Sequence, residues 1–406
     1  MTDPVQIAEQ LAGPFAERAA SHDADAAFPA ADVGDLRASG LLGLLVPEAL
    51  GGMGGGFADY TRVAQALARG AGASALVFNM HASVTGALAT IGEELARELG
   101  ATDAFFAHRD RVLAAAADGA LYGVAITERG AGSRLSALRT TYEAVDGGYR
   151  LRGRKSTCSG AGHLDAYLLA ARAHDGAPSS PAVGQAGEEP LVSHFLVPGD
   201  AVTDVDDTWD PLGMRATASN GFSIDAVVPD EALLGGVEGL AVLLAYVLPQ
   251  WLVASYAAVY VGVAQAALAE AVAYVERRGA AGAHASIGDV GWVRARLGRA
   301  DAQVEAARLV LEEAGRLVDI APGDPATNRQ VYRSKLLAGD AAQEVAASAT
   351  EACGLGALRR GEPLERLLRD ARSGAVMPPS SDLCADVLGT AALGRDPVHG
   401  TDTRPW

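Results

Sequence analysis

The spacing of hydrophobic residues changes twice along this chain. From Val5 onward, apolar residues recur every three or four positions, as in residues 28–37 and 58–68, and this spacing predicts helices. Beyond Gly119 the pattern alternates and is rich in β-branched and aromatic residues, which predicts strands. The helical spacing then returns for the last third of the chain. The predicted regions are helices in residues 1–119, a β region in residues 120–235 and helices in residues 236–406.

The β region contains one clear hairpin signal. Residues 140–145 and a second run from Tyr149 flank Asp146-Gly147-Gly148, a turn sequence that joins antiparallel strands. Residues 166–172 and 194–198 have the composition of further strands. Residues 175–190, rich in Gly, Pro, Ser and Glu, are predicted to form a loop.

One apolar segment is long enough to cross a membrane. No charged residue occurs between Glu238 and Glu270. However, Pro249 and Gln250 interrupt the segment, and no Lys or Arg flanks its N-terminal side. A helix that is apolar on all faces can also lie in the core of a large protein. We therefore predict a central helix of a bundle and no membrane span.

Composition and charge limit the classes of partner and of site that this chain can be expected to have. With 406 residues, two or three domains are expected. The net charge of −17 argues against nucleic acid or an anionic membrane as a partner. Three scattered cysteines indicate neither a disulfide framework nor a metal cluster, so no metal site is predicted. The N-terminal residues lack the pattern of an export signal, and a cytoplasmic location is expected.

Three segments of the β region carry motifs. They read Thr127-Glu-Arg-Gly-Ala-Gly-Ser133, Gly153-Arg-Lys-Ser-Thr-Cys-Ser-Gly160 and Leu212-Gly-Met-Arg215. They resemble the Thr-Glu-x-x-Ala-Gly-Ser, Gly-x-Lys-x-Trp-x-Thr and Leu-Gly-Met-Arg motifs of the flavin-dependent acyl-CoA dehydrogenase superfamily. Val46-Pro-Glu-Ala-Leu-Gly-Gly52 resembles a further family signature. The resemblance implies an α+β fold with an N-terminal helical domain, a middle β-barrel domain and a C-terminal four-helix bundle.

The resemblance also implies a flavin between the β domain and the C-terminal helices. A glycine or serine alone more often forms a turn, but the ordered set favours the family interpretation. FAD is the expected cofactor. FMN is the alternative, because the family's motifs for the dinucleotide survive only as Arg278 with Gly282 and as residues 354–356. The implied cofactor-binding residues are Tyr122, Val124, Ile126, Thr127, Gly132, Ser133, Thr157, Ser159, Arg278 and Gly354.

One departure from the family pattern favours a particular branch. Thr157 stands where dehydrogenases usually have an aromatic residue over the flavin. The run from Lys155 to Ala161, followed by Asp165, is closer to the superfamily's reduced-flavin monooxygenases, such as those that resemble dibenzothiophene monooxygenase. In this comparison Ser159 is expected beside flavin N5, as a catalytic residue.

The catalytic carboxylate of the family is missing. Dehydrogenation of an acyl thioester needs a base within reach of the substrate's α-carbon. By resemblance, the two positions that hold this Glu in family members are Pro378 and Leu252 here. Asp382, one helical turn after Pro378, is a candidate substitute, or else a helix-capping residue. His81 is a candidate acid because the pKa of histidine lies near neutrality, or else it is packed between helices.

Three hypotheses remain open. The first is an oxidoreductase acting on a CH–CH or other C–H group of an acyl thioester or related small molecule. The second is a two-component monooxygenase that takes reduced flavin from a partner reductase. The third is a catalytically inactive partner subunit. The first two share an assignment as a flavin oxidoreductase of acyl-CoA dehydrogenase type. An electron-transfer protein is a further candidate partner, and the apolar helix suggests a homodimer or homotetramer.

Overall fold

Helices form the N-terminal part of the computed structural model. The structure describes residues 3–98, 100–174, 191–240, 248–279 and 286–395. A long helix and a short one are followed by a turn-rich segment and two adjacent helices, the second of which is almost entirely buried. These helices are α1 (Pro4–Asp25), α2 (Ala30–Ala38), α3 (Phe57–Gly70), α4 (Gly72–Thr90), α5 (Glu93–Glu98) and α6 (Asp103–Ala117).

Among the described residues a seven-stranded sheet follows, made of β1 (Tyr122–Ala125), β2 (Thr141–Val145), β3 (Gly148–Lys155), β4 (Ala166–Ala173), β5 (Val192–Pro198), β6 (Val202–Thr203) and β7 (Phe222–Val228). One edge of β4 pairs with β5, and its other edge pairs in parallel with β1 and then with β2. The order continues through β3 and β7 to β6. β2 and β3 form the predicted hairpin, since Val145 pairs with Gly148. The predicted loop at residues 175–190 lies outside the described residues.

The C-terminal part is helical again, with α7 (Ala254–Arg277), α8 (Gly291–Ile320), α9 (Pro325–Cys353), α10 (Pro363–Ala371), α11 (Ser373–Val376) and α12 (Ser381–Ala392). Within the described residues, the stretch Pro249–Arg277 is apolar and long enough to cross a membrane. However, 78% of its most apolar window is buried inside the protein. It packs against α3, α8 and α9, as a central helix of a bundle does.

Both lysines of the chain are fully buried and serve the structure. The Lys155 ammonium lies 2.8 Å from the Glu128 carboxylate and also donates to the carbonyls of Ile126 and Ala170. Burial lowers the pKa of Lys155 to about 8, although the Glu128 charge opposes that shift. Lys335 donates to two carbonyls beside α11. The first of these lysines therefore anchors the loop after β1, and the second anchors the segment around α11.

Candidate functional site

A cavity of about 690 Å³ lies where the three parts of the chain meet. Side chains from α4, from the ends of β1 and β3, from the loop before β7 and from the C-terminal helices form its walls. The described residues that line it are Leu76, Met80, Val124, Ile126, Thr127, Ser133, Thr157, Ser159, Trp209, Pro211, Leu212, Gly213, Met214, Thr217, Ser219, Leu252, Tyr256, Gln343, Arg369, Arg372, Ser373, Val376, Met377 and Pro378.

One wall of the cavity carries hydroxyl groups. Thr127 and Ser133 belong to the loop after β1, which the buried Glu128–Lys155 pair holds against the sheet. Thr157 and Ser159 follow β3 directly. No hydrogen bond from the backbone N–H of any of these four residues is found within the described part of the chain. Their N–H groups are therefore available to the oxygen atoms of a ligand.

Behind this wall, hydroxyl groups form a chain. The Ser159 Oγ lies 3.0 Å from the Ser219 Oγ, and the Ser219 Oγ lies 2.7 Å from the Thr217 Oγ1. Thr217 in turn donates to the carbonyl of Met214 at 2.9 Å. Thr217 and Ser219 are buried, whereas Ser159 is half-buried at the cavity.

The cavity lining among the described residues contains no carboxylate. Leu252 and Pro378, the two positions where the resemblance places the family's catalytic Glu, both line the cavity. The basic groups here are Arg372, which donates to Gln343 at 3.1 Å, and Arg369. The guanidinium of Arg369 is bound to two carboxylates, those of Asp23 and Glu365, and neither of these lines the cavity. The described site therefore lacks a group able to remove a carbon-bound proton as a carboxylate base.

His81, the candidate acid, is absent from the described cavity lining. Its Nε2 lies 2.7 Å from the carbonyl of Leu42, and its Nδ1 accepts the N–H of Tyr122 at 3.2 Å. These two bonds require the neutral ring with its proton on Nε2. Burial lowers the pKa of His81 to about 4. The structure thus favours the packing alternative for His81, and it places Tyr122 in the same buried cluster, outside the cavity lining.

Four other predicted site residues also lie outside the described lining. Asp382 is exposed, in the first turn of α12. Gly132 exchanges backbone hydrogen bonds with Glu128 and shapes the loop with a φ of +63°. Arg278 and Gly354 lie at the far ends of α7 and α9, near each other, since a Cβ on Gly356 would stand 2.8 Å from an Arg278 nitrogen. Gly282 lies outside the described residues.

Ser219, Trp209 and Tyr256 line the cavity without having been predicted. The first two flank the predicted Leu212–Arg215 turn, so an extension of that motif in both directions would have found them. Tyr256 lies in the first turn of the apolar helix α7, and nothing in the sequence there indicates that its hydroxyl belongs to a site. The residues that are both predicted and present in the lining are Val124, Ile126, Thr127, Ser133, Thr157 and Ser159.

Three domain families match the chain in order. They are the N-terminal, middle and C-terminal domains of acyl-CoA dehydrogenase, at residues 6–99, 123–227 and 253–392. The chain belongs to the acyl-CoA dehydrogenase family. Each match lies inside one of the three predicted regions, whose boundaries otherwise stay predictions. The predicted family, the α+β fold and the assignment to an oxidoreductase of acyl-CoA dehydrogenase type are confirmed.

Relatives that match over most of their length differ in the activities that their names give. The chain is 29% identical to the putative acyl-CoA dehydrogenase YdbM of Bacillus subtilis, over 95% of both chains. It is 30% identical to the amino sugar nitrososynthase DnmZ of Streptomyces peucetius, over 92% of this chain and 89% of DnmZ. It is 27% identical to a dibenzothiophene monooxygenase of Rhodococcus erythropolis, over 98% and 95%.

Solved structures agree on the fold. The FMN-bound TdsC of Paenibacillus sp. A11-2 has a TM-score of 0.81 at 24% identity, and the alignment covers 96% of this chain and 97% of TdsC.

Proposed function

We propose that this protein is a monooxygenase that uses reduced flavin supplied by a separate reductase. The observation that carries the proposal is the absence of any carboxylate from the described cavity lining, with Leu252 and Pro378 at the two positions where a base is expected. A dehydrogenase of acyl thioesters needs such a base. An oxygenase does not, because dioxygen, not the removal of a substrate proton, starts its chemistry.

The residues present fit a flavin. The cavity has apolar walls for a flat ring. The N–H groups of Thr127, Ser133, Thr157 and Ser159, which have no partner among the described residues, suit the carbonyl and phosphate oxygens of a flavin nucleotide. Reduced flavin, when bound, supplies the electrons that activate dioxygen. The chain's own groups orient the ring through these bonds, and apolar residues such as Met80 and Leu252 keep water from the reacting face.

We propose FMN as the cofactor, with FAD as the alternative. Arg278, expected near the dinucleotide part, lies 22 residues beyond Tyr256 along α7, about 33 Å at the rise of an α-helix. Neither Arg278 nor Gly354 can therefore contact a cofactor held in the cavity of its own chain near Tyr256. The FAD alternative would require them to contact the dinucleotide part of a cofactor in a neighbouring chain, within the proposed homodimer or homotetramer.

The test compares the fate of oxygen with and without the protein. Reduced FMN is mixed anaerobically with the protein and then with air-saturated buffer, and released hydrogen peroxide is followed by a peroxidase assay. We expect slower release than from free reduced FMN. Ser159→Ala should restore fast release, whereas Ser136→Ala, at an exposed serine outside the lining, should not. Release as fast as from free FMN would contradict the proposal.

An acyl-thioester dehydrogenase is the second candidate. It is favoured by similarity to YdbM over 95% of the chain and by the exposed guanidinium of Arg372 at the cavity, which suits a phosphate of coenzyme A. Anaerobic addition of butyryl-CoA or palmitoyl-CoA to the flavin-loaded protein separates the two. Bleaching of the oxidised flavin would establish the dehydrogenase and exclude the monooxygenase. We expect no bleaching.

A further inference from the structure

The hydroxyl chain behind Ser159 has a defined direction. A backbone carbonyl can only accept, so the Thr217 hydroxyl must donate its hydrogen to the carbonyl of Met214. The Thr217–Ser219 bond then uses the hydrogen of Ser219, and the Ser159–Ser219 bond uses the hydrogen of Ser159. Because each hydroxyl has one hydrogen, this arrangement leaves Ser159 with lone pairs toward the cavity and no hydrogen to donate there.

The opposite arrangement makes one hydrogen bond fewer. If Ser159 donated to a ligand and both bonds between hydroxyl groups were kept, Ser219 would have to donate to Ser159 and Thr217 to Ser219. The bond from the Thr217 hydroxyl to Met214 would then be lost. A ligand atom that carries hydrogen is therefore preferred beside Ser159 over a ligand atom that only accepts.

We propose that Thr217 and Ser219 are positioning residues that hold the Ser159 hydroxyl as a hydrogen-bond acceptor, so that the site prefers reduced over oxidised flavin. The inference rests on the proposed function and on the N5 edge of the ring lying beside Ser159, as the family resemblance implies. Oxidised flavin has an unprotonated N5 that accepts a hydrogen bond, whereas reduced flavin has an N5–H group that donates one. The hydroxyl chain thus adds selectivity for the redox state that a reductase would deliver.

The expected effect is about threefold to tenfold in the ratio of the two dissociation constants, the equivalent of one net hydrogen bond. The lower part of this range is favoured because the Met214 carbonyl also accepts the N–H of Thr217 at 3.2 Å and the indole N–H of Trp209 at 3.4 Å. A tenfold ratio corresponds to about 30 mV in the two-electron midpoint potential of the bound flavin.

The experiment measures the dissociation constants of FMN and dithionite-reduced FMN anaerobically, together with the midpoint potential of bound FMN. Thr217→Val removes the last hydroxyl group of the hydroxyl chain at nearly the same side-chain volume. Ser219→Ala removes its middle hydroxyl group. Both should move the ratio of dissociation constants toward unity by threefold or more. Thr217→Ser keeps the hydroxyl and should keep the wild-type ratio. Ser133→Ala, on the cavity wall but outside the hydroxyl chain, should weaken the binding of both redox forms of FMN equally.

The outcomes are distinct. Flavin that binds to the wild type with no preference for the reduced form overturns this inference alone. A ratio that Thr217→Val and Ser219→Ala leave unchanged, in proteins that still bind flavin, overturns it too. Wild-type protein that binds neither redox form overturns both the inference and the proposed function. If one variant fails to fold, the other together with Thr217→Ser still decides the matter.

Discussion

Two buried histidines should make the fold sensitive to mild acid. Burial lowers the pKa of both His81 and His194 to about 4, from 6.5 in the unfolded chain. Near His81, the charge of Asp165 opposes this shift and that of Arg37 adds to it. His194, on β5, has an Nδ1 without a hydrogen-bond partner among the described residues, and the charge of Lys155 lowers its pKa further. Both rings are therefore neutral in the folded protein at pH 7.

The sign of the effect follows from linkage. A group whose folded pKa lies below its unfolded pKa stabilises the fold above the unfolded value, and that stability is lost as pH falls toward the folded value. The window here runs from about pH 6.5 down to about pH 4. Between pH 7 and pH 5 each histidine should cost about 2 kcal/mol of the free energy of unfolding.

Urea unfolding of the flavin-free protein at pH 7 and pH 5, at one protein concentration, measures this loss. His81→Gln keeps a donor for Leu42 and an acceptor for Tyr122 but cannot titrate. It should reduce the loss between the two pH values by about 2 kcal/mol. Ser136→Ala, at an exposed serine that cannot titrate, is the control and should not. The same loss in His81→Gln as in the wild type would refute the assignment of a buried neutral ring.

Two further predictions concern packing. Lys155→Met leaves the Glu128 carboxylate buried without its cationic partner, so it should lower the free energy of unfolding by roughly 3–5 kcal/mol. Adding Glu128→Gln should recover part of this loss. A Lys155→Met variant as stable as the wild type would contradict the buried ion pair. Gly86→Ala should destabilise the fold by about 1–3 kcal/mol, because its Cβ would stand 2.4 Å from the Trp251 ring. This cost should vanish in a Trp251→Ala background. Urea unfolding measures the effects of both sets of variants.

Much of the fold could be predicted from the sequence because local residue patterns determine it. The Asp146-Gly147 turn fixes the hairpin without help from the rest of the chain, and residues 166–172 had enough β-formers to identify β4. The buried helix α7 could be separated from a membrane span only by weighing Pro249 and the missing flanking charges. The structure agrees, because most of that stretch is buried in protein.

The site was less readable because its contacts come from distant segments. His81 lies on a helix with apolar neighbours, and only the fold shows that Leu42 and Tyr122 use both of its ring nitrogens. The hydroxyl chain depends on left-handed backbone at Met214 and Ala218, with φ values of +53° and +44°. Such conformations are uncommon for residues other than glycine, so sequence patterns do not predict them.

The burial of both lysines has a practical consequence. Reagents that acylate amines, such as N-hydroxysuccinimide esters, find no lysine side chain on the folded surface, since Lys155 and Lys335 are each 0% exposed. Apart from the amino terminus, the native chain should remain unlabelled. Label should enter at these two positions only when the interior opens. Mass spectrometry of the acylated protein would then report how often the molecule unfolds, without denaturant.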